Sequence, residues 1–270
     1  MNDPVAARQS IITLTTDFGP DSPYVAEMKG VIYSIHPQVT VVDGTHAVAP
    51  QDILQGSFLW KQISKPFPPG TIHLAVVDPG VGTDRRLLLV ETAGHYWIAP
   101  DNGLFSQVIA QQTVRQVIEL DCPDYWASQV SSTFHGRDIM APVAAYLSRG
   151  EPLKKLGTPT HGPLVQDFPK IQAGENCLSG EVIHIDSFGN LITNIRRADW
   201  DTREIPDRCH ATCGNHQTVG LQNTYSEADP QSLIMLFGSS GFLEFSIVNG
   251  NAAEQLAAKV ETAVQLNWSP

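Results

Sequence analysis

Three short segments carry residues whose types suit chemistry at one site: Asp17 in TTDFG, Asp78 to Arg86 in DPGVGTDRR, and His135 in FHGRD. The first two follow apolar, β-prone runs (IITL and IHLAVV), which places their carboxylates at strand ends. In open α/β sheets ligands sit in crevices beyond the carboxyl ends of the strands, so chemistry is expected there. An aspartate, an arginine and a histidine sharing one crevice can polarise a water. They suit a halide or a phosphate poorly, because the carboxylate repels either anion.

Each segment also has a plainer reading. Asp78-Pro79-Gly80 fits a strand followed by a turn, and a strand-end carboxylate is a common cap. A turn alone does not account for Asp84-Arg85-Arg86 just behind it, since three charges there are costly unless solvated or paired. A lone His135 also fits a hydrogen-bonded core histidine. Asp17 fits a cap for the helix that begins near Pro23. Further along, Asp186-Ser187-Phe188-Gly189-Asn190 suits a hairpin turn between two apolar runs. Its functional reading makes Phe188 a stacking face and Asn190 an amide that donates and accepts, the pair an adenine edge requires. Gly238-Ser239-Ser240-Gly241 offers small residues and backbone N–H groups that suit a carboxylate.

The elements that must position these residues change character along the chain. The first half alternates: IITLTT, then Val25, Met28, Ile32 and Ile35 at helical spacing, then VTVVDG, a helix over 52–62, and TIHLAVVD. LLLVET and HYWIAP read as a neighbouring pair, and helices are expected again over 104–110 and 138–147. This is an α/β domain, placed at 8–165, with a largely parallel central sheet. A Gly-, Pro-, Lys- and Thr-rich connection follows, and then GEVIHID, NLITNI, SLIMLFG, GFLEFSIV and KVETAVQL, separated by turn signals. One short helix is expected over 252–257. The second domain, at 175–268, therefore reads as smaller and mostly β, a sandwich or barrel.

Composition narrows the partners. The chain has 270 residues, 42% of them hydrophobic, enough to bury a large core, and two cores are expected. No apolar run approaches a membrane span, and the N-terminal MNDPVAARQS lacks the apolar stretch of a secretory signal, so a cytoplasmic protein is expected. A formal net charge of -11 disfavours nucleic acid and leaves room for a cationic or zwitterionic small molecule. Cys122, Cys177, Cys209 and Cys213 read as thiols rather than a disulfide framework. Cys209, His210, Cys213 and His216 offer zinc-type ligands, but their spacing matches no usual finger or ribbon, so no metal is expected. GVGTDR has Arg85 where a dinucleotide loop needs its third glycine. GSSG lacks the spacing of a nucleophile elbow, and there is no phosphate-binding G-x-x-x-x-G-K-[ST] loop.

Taken together and in order, TTDFG, YVAEMKG, VTVVDGTH, PQDI, VVDPGVGTDRR, APDNGLFS, TFHGRD, DSFGN, SSGFLE and NGNAA resemble the S-adenosyl-L-methionine (SAM) hydroxide adenosyltransferase family. That family is related to the SAM-dependent fluorinase and chlorinase. The resemblance implies an α/β N-terminal domain, a barrel-like C-terminal domain and a homotrimer. The nucleoside would lie between the N-terminal domain of one subunit and the C-terminal domain of the next. It further implies Asp78, Arg85 and His135 as the water-activating set and Asp17 as the holder of the ribose hydroxyls. Phe188, Asn190 and backbone near Ala252 would contact adenine. Asp186 and Ser239 would hold the methionine amine and carboxylate, and Glu244 joins the substrate-binding set.

The departures from the halogenase pattern point away from halide chemistry. Halogenases carry an uncharged residue where Asp78 stands, a Tyr-Ser or Tyr-Gly pair where His135-Gly136 stands, and a Trp where Gln51 follows Pro50. Their Ser-Arg is replaced by Ser239-Ser240. The implied reaction is displacement at the 5′ carbon of SAM by water or hydroxide, giving adenosine and L-methionine without metal or organic cofactor. The competing expectations are a SAM-dependent halogenase and an adenosine- or SAM-binding protein without turnover. At Asp78, a solvated strand end that tolerates truncation to alanine is expected.

Overall fold

The computed structural model describes residues 10–206 and 208–269. The expected domain start at residue 8, and most of the N-terminal stretch read for a signal, lie outside the described residues. The chain divides into two compact units, one running to Asp167 and the other beginning at Phe168.

The first unit is built on β1 (Ile11–Thr16), β2 (Thr40–Thr45), β3 (Ile72–Val76), β4 (Leu87–Thr92), β5 (Tyr96–Pro100), β6 (Val114–Glu119) and the short β7 (Thr158–Pro159). They form one sheet in the order β2-β1-β3-β5-β4-β6-β7. The first four in that order run parallel, whereas β4 opposes both β5 and β6, and β7 opposes β6. Five of the seven strands therefore point one way, with β4 and β7 reversed, which is the mostly parallel α/β sheet expected. LLLVET and HYWIAP do pair, as the antiparallel β4–β5.

Helices cover both faces, and that is why β1 and β3 read as near-continuous apolar runs. On one face Ile12, Leu14, Leu74 and Val76 meet Met28 and Ile32 of α1 (Pro23–Ile35) and Val143 and Ala144 of α4 (Ala141–Ser148). On the other, Ala75, Val77 and Trp97 meet Trp60 of α2 (Ile53–Ser64) and Val108 of α3 (Ser106–Ile109). The cap of α1 is Ser22, whose side chain accepts from Tyr24 N with Pro23 in the first turn, so Asp17 does not cap this helix. Asp52 caps α2 by accepting from Gln55 N at 2.9 Å. The helix expected over 138–147 begins earlier, as a π-helical turn over Gly136–Met140 that runs into α4. A second short helix, α5 (Leu153–Leu156), falls in the stretch read as a connection.

The second unit holds β8 (Gln172–Ala173), β9 (Cys177–Ile185), β10 (Leu191–Arg196), β11 (His210–Cys213), β12 (His216–Val219), β13 (Leu221–Gln222), β14 (Leu233–Phe237), β15 (Phe242–Ile247) and β16 (Ala263–Asn267). The order is β12-β11-β16-β9-β10-β15-β14-β13, with β8 on β9. Thr218 of β12 donates its hydroxyl to Leu233 O of β14 at 2.8 Å, so the two flanks nearly meet and the sheet is barrel-like. Leu178, Val182, Leu191, Met235, Phe245 and Leu266 fill its interior. The strand expected in KVETAVQL begins only at Ala263, because Thr262 N bonds Lys259 O in a preceding turn. Helix α6 (Arg197–Thr202) escaped the sequence reading; it buries only Trp200, so RADWDT shows no apolar period. The expected short helix is α7 (Ala252–Gln255).

Candidate functional site

Asp78 lies two residues beyond β3, and Arg85 folds back from the following loop to grip it. Arg85 Nε donates to Asp78 Oδ1 and Oδ2 at 2.6 and 2.8 Å, and Nη2 donates to Oδ2 as well. Nη1 lies 3.1 Å from His135 Nδ1. An arginine can only donate, so His135 Nδ1 is the acceptor and the ring proton of the neutral imidazole sits on Nε2. Partial burial and then the Arg85 charge both hold the His135 pKa below its ordinary 6.5, so the neutral form persists into mild acid.

The side chains of Arg85 and Asp78 are only 8% and 5% exposed. The expectation of a solvated strand end at Asp78 is therefore wrong: the carboxylate is buried and neutralises a buried guanidinium. Pairing and exposure remove the puzzle of clustered charge: Arg86 pairs separately with the buried Asp101 at 2.6 Å, and Asp84 is exposed. The two loops of the set are in close contact. Gly82 has φ +81°, and a Cβ there would lie 2.5 Å from Ser132 O, so only glycine lets the Arg85 loop meet the segment leading to His135.

Asp17 follows β1 directly, in the same unit. Its Oδ2 accepts from Gln51 N at 2.8 Å. Gln51 has φ +66°. The ring of the neighbouring Phe18 packs edge-on against Phe134, 5.7 Å between centroids, so the residues flanking Asp17 and His135 touch.

The remaining sequence candidates gather in the second unit, around a pocket of about 640 Å³ lined by Asp186, Phe188, Asn190, Tyr225, Ser239, Glu244, Ile247, Asn249 and Gly250. Asp186 Oδ1 accepts from Phe188 N and Asn190 N, and its Oδ2 accepts from Asn190 Nδ2, all at 2.9 Å. This carboxylate therefore shapes the turn as well as facing the pocket, and it leaves Asn190 Oδ1 as an acceptor. Phe188 is 74% exposed, an aromatic face with no packing role in the core. Gly189 has φ +82°, and a Cβ would lie 1.9 Å from Asn251 Oδ1. Ala252 does not line the pocket; its side chain is fully buried in the barrel core, leaving only its backbone for any contact.

Glu244 is 5% exposed and accepts from Tyr225 Oη and Ser246 Oγ. Burial raises its pKa, as does the nearby Asp186, while the hydrogen bonds from Tyr225 and Ser246 oppose the rise. Burial and then Glu244 push the Tyr225 phenol well above its usual value. Sequence reasoning missed Tyr225. It stands in the polar stretch NTYSEADP, where no apolar period or turn signal distinguishes it.

The Cys/His segment forms the hairpin β11–β12. Strand alternation turns Cys209 and Cys213 into the barrel core while His210 and His216 are exposed. No group of three or more His, Cys, Asp or Glu placed to hold a metal occurs among the described residues. Among them, no helix is long and apolar enough to cross a membrane.

An α/β unit carrying a carboxylate–guanidinium–imidazole chain, followed by a small barrel with a pocket of its own, defines a class of two-unit α/β-plus-barrel proteins. Comparison with known proteins makes that class specific. Residues 12–157 match the model of the SAM hydroxide adenosyltransferase N-terminal domain, and residues 180–265 match that of its C-terminal domain. This chain belongs to the SAM hydroxide adenosyltransferase family. It is 34% identical over 249 residues to the (R)-S-adenosyl-L-methionine hydrolase of Salinispora arenicola, covering 91% of this chain and 93% of that protein. To the fluorinase of Nocardia brasiliensis it is 31% identical over 220 residues, covering 71% of this chain and 73% of that protein. The crystal structure of an uncharacterized conserved protein from Thermotoga maritima superposes with a TM-score of 0.90 at 32% identity, covering 96% of this chain and all of that one.

Proposed function

We propose that this protein hydrolyses SAM to adenosine and L-methionine by attack of a hydroxide-like oxygen on the 5′ carbon. The observation that carries the reading is the contact of Arg85 with both Asp78 and a neutral His135. Arg85 and the His135 Nε2–H are both donors, so together they favour an attacking oxygen that bears negative charge. Asp78 holds the guanidinium in place and does not itself face the oxygen as a base. The oxygen forms its bond to C5′ as the C–S bond breaks, the bonding pair passes to sulfur, and the proton lost by the attacking water leaves to bulk solvent. The leaving group is a neutral thioether departing from a sulfonium, so no general acid is required.

Asp17 would take the ribose hydroxyls on the carboxylate oxygen that Gln51 N does not occupy. Phe188 would stack on adenine, and Asn190 Oδ1 would accept from its exocyclic amine. Asp186 and Ser239 would hold the amino-acid end, with Glu244 behind them. The family resemblance further supports a homotrimer whose subunits jointly complete each site, and a fully active monomer in light scattering would overturn that. Incubation with SAM followed by chromatography tests the reaction. Adenosine and methionine are expected, in chelator as without it. A 5′-halo-adenosine product would make the protein a halogenase, and ordered binding with no loss of SAM over hours would make it a binding protein. Activity lost in chelator and restored by a divalent ion would overturn the metal-free scheme.

A further inference from the structure

The carboxylate of Asp17 is only as useful as its placement, and its loop is held by a chain of side chains that begins on the protein surface. Lys29 Nζ of α1 contacts Asp43 Oδ2 of β2 at 2.6 Å. The other oxygen of that carboxylate, Oδ1, lies 2.9 Å from His46 Nε2. His46 Nδ1 lies 2.9 Å from Thr16 Oγ1, and Thr16 Oγ1 accepts from Phe18 N at 3.3 Å. The backbone adds to this, since Gly19 N donates to His46 O at 2.8 Å with Gly19 at φ +84°. Thr16 and Phe18 are the two neighbours of Asp17, and both are engaged.

The direction of each bond follows from which atoms can donate. A carboxylate only accepts, so His46 Nε2 carries a ring proton, and with that tautomer Nδ1 accepts the Thr16 hydroxyl hydrogen. That choice leaves a Thr16 lone pair for Phe18 N–H. The chain is therefore polarised in one sense, from Phe18 N through Thr16 and His46 to Asp43, and it ends on the ammonium of Lys29. His46 is 11% exposed and Thr16 is fully buried, so water competes weakly for these bonds.

We propose that His46, oriented by Asp43, is a positioning residue for Asp17 and thereby sets the affinity for the ribose of the substrate. The proposal rests on the reading of Asp17 as the ribose carboxylate. Lys29, Asp43, His46 and Thr16 are not among the residues assigned to the attacking oxygen or the C–S bond, so the effect belongs in ground-state and transition-state binding alike. That predicts a change in KM with little change in kcat.

The test is a set of variants assayed for SAM turnover and for adenosine affinity by calorimetry. His46→Ala should raise KM for SAM and weaken adenosine about 5- to 10-fold, the scale of one or two hydrogen bonds, with kcat within about 2-fold. His46→Asn, which can still present an acceptor to Thr16, should recover most of the loss. Asp43→Asn, a change at an exposed carboxylate that will not endanger folding, should fall between them. In an Asp17→Asn background, His46→Ala should have no further effect on adenosine affinity. An unaltered adenosine affinity in Asp17→Asn itself would sink the ribose reading on which this rests. A normal penalty in Asp17→Asn with none in His46→Ala, or with full additivity between the two, would sink the positioning role alone. A loss of kcat without a change in KM would also overturn it.

Discussion

Arg85 uses Nε and Nη2 on Asp78 and Nη1 on His135, so its position depends on the carboxylate more than on any packing. Removing one partner of a buried ion pair typically costs about 3–5 kcal/mol, because the other charge is left uncompensated. Asp78→Ala should therefore lower the melting temperature as well as activity, and it is a poor probe of chemistry. Asp78→Asn keeps the volume and one acceptor oxygen. Its kcat should fall about 10²- to 10⁴-fold, the usual range for a displaced catalytic group, while adenosine affinity stays within about 2-fold. Stopped turnover assays beside calorimetric titration check this, and a wild-type kcat in Asp78→Asn would show that Arg85 needs no carboxylate to act. His135 gives a second expectation at this scale. A base whose pKa is depressed in the folded protein is neutral above that lowered value and charged only below it, so activity that needs the neutral ring is lost on the acid side of pH 6.5. The limb of the pH–kcat profile that disappears in His135→Asn should lie below 6.5, and finding it above that pH would contradict the lowered pKa.

At the scale of elements, the active loops are assembled by close approach rather than by long contacts. Gly82 is the clearest instance, because any side chain there meets Ser132 O. Gly82→Ala combines a positive φ with this clash and should destabilise the first unit by about 1–3 kcal/mol. Its effect on kcat should exceed that on adenosine binding, since it parts the Arg85 loop from the segment before His135. Equal losses in both would show that the two loops are not separately positioned. Much of this framework was legible in the residues. Apolar runs ending in Asp17 and Asp78 mark strand ends because helices cover both faces of the sheet, and the DSFGN turn is legible from Gly189 and Asn190. The rest was not, for physical reasons. Nothing in the polar run around Tyr225 signals that its hydroxyl reaches Glu244 across the fold. The burial of Asp78 depends on Arg85 returning from seven residues away, which no local pattern encodes. Ser22, not Asp17, caps α1 because the cap must sit next to the first turn.

The whole molecule carries a formal net charge of -11, whereas SAM is a cation through its sulfonium and ammonium groups. A field of that sign concentrates a cationic ligand near the surface and is screened as salt rises, the Debye length being about 8 Å at physiological ionic strength. KM for SAM should therefore increase from low to high salt, while the dissociation constant of uncharged adenosine stays nearly flat. Equal salt dependence for the two ligands would show that the net charge plays no part in capture.

The flanks of the barrel approach at neighbours such as Thr218 and Leu233, and Cys209 and Cys213 lie on its inner side, each 1% exposed. Burial raises the Cys213 thiol to about 11, so in the closed barrel it is both hidden and protonated, and a thiol reagent finds no thiolate to attack. Cys122 and Cys177 are partly exposed. The natural sequence thus carries a built-in clock. Two thiols should modify promptly, and Cys209 and Cys213 only as fast as the hairpin lifts away, so the slow phase of alkylation times the opening of the barrel without any introduced label.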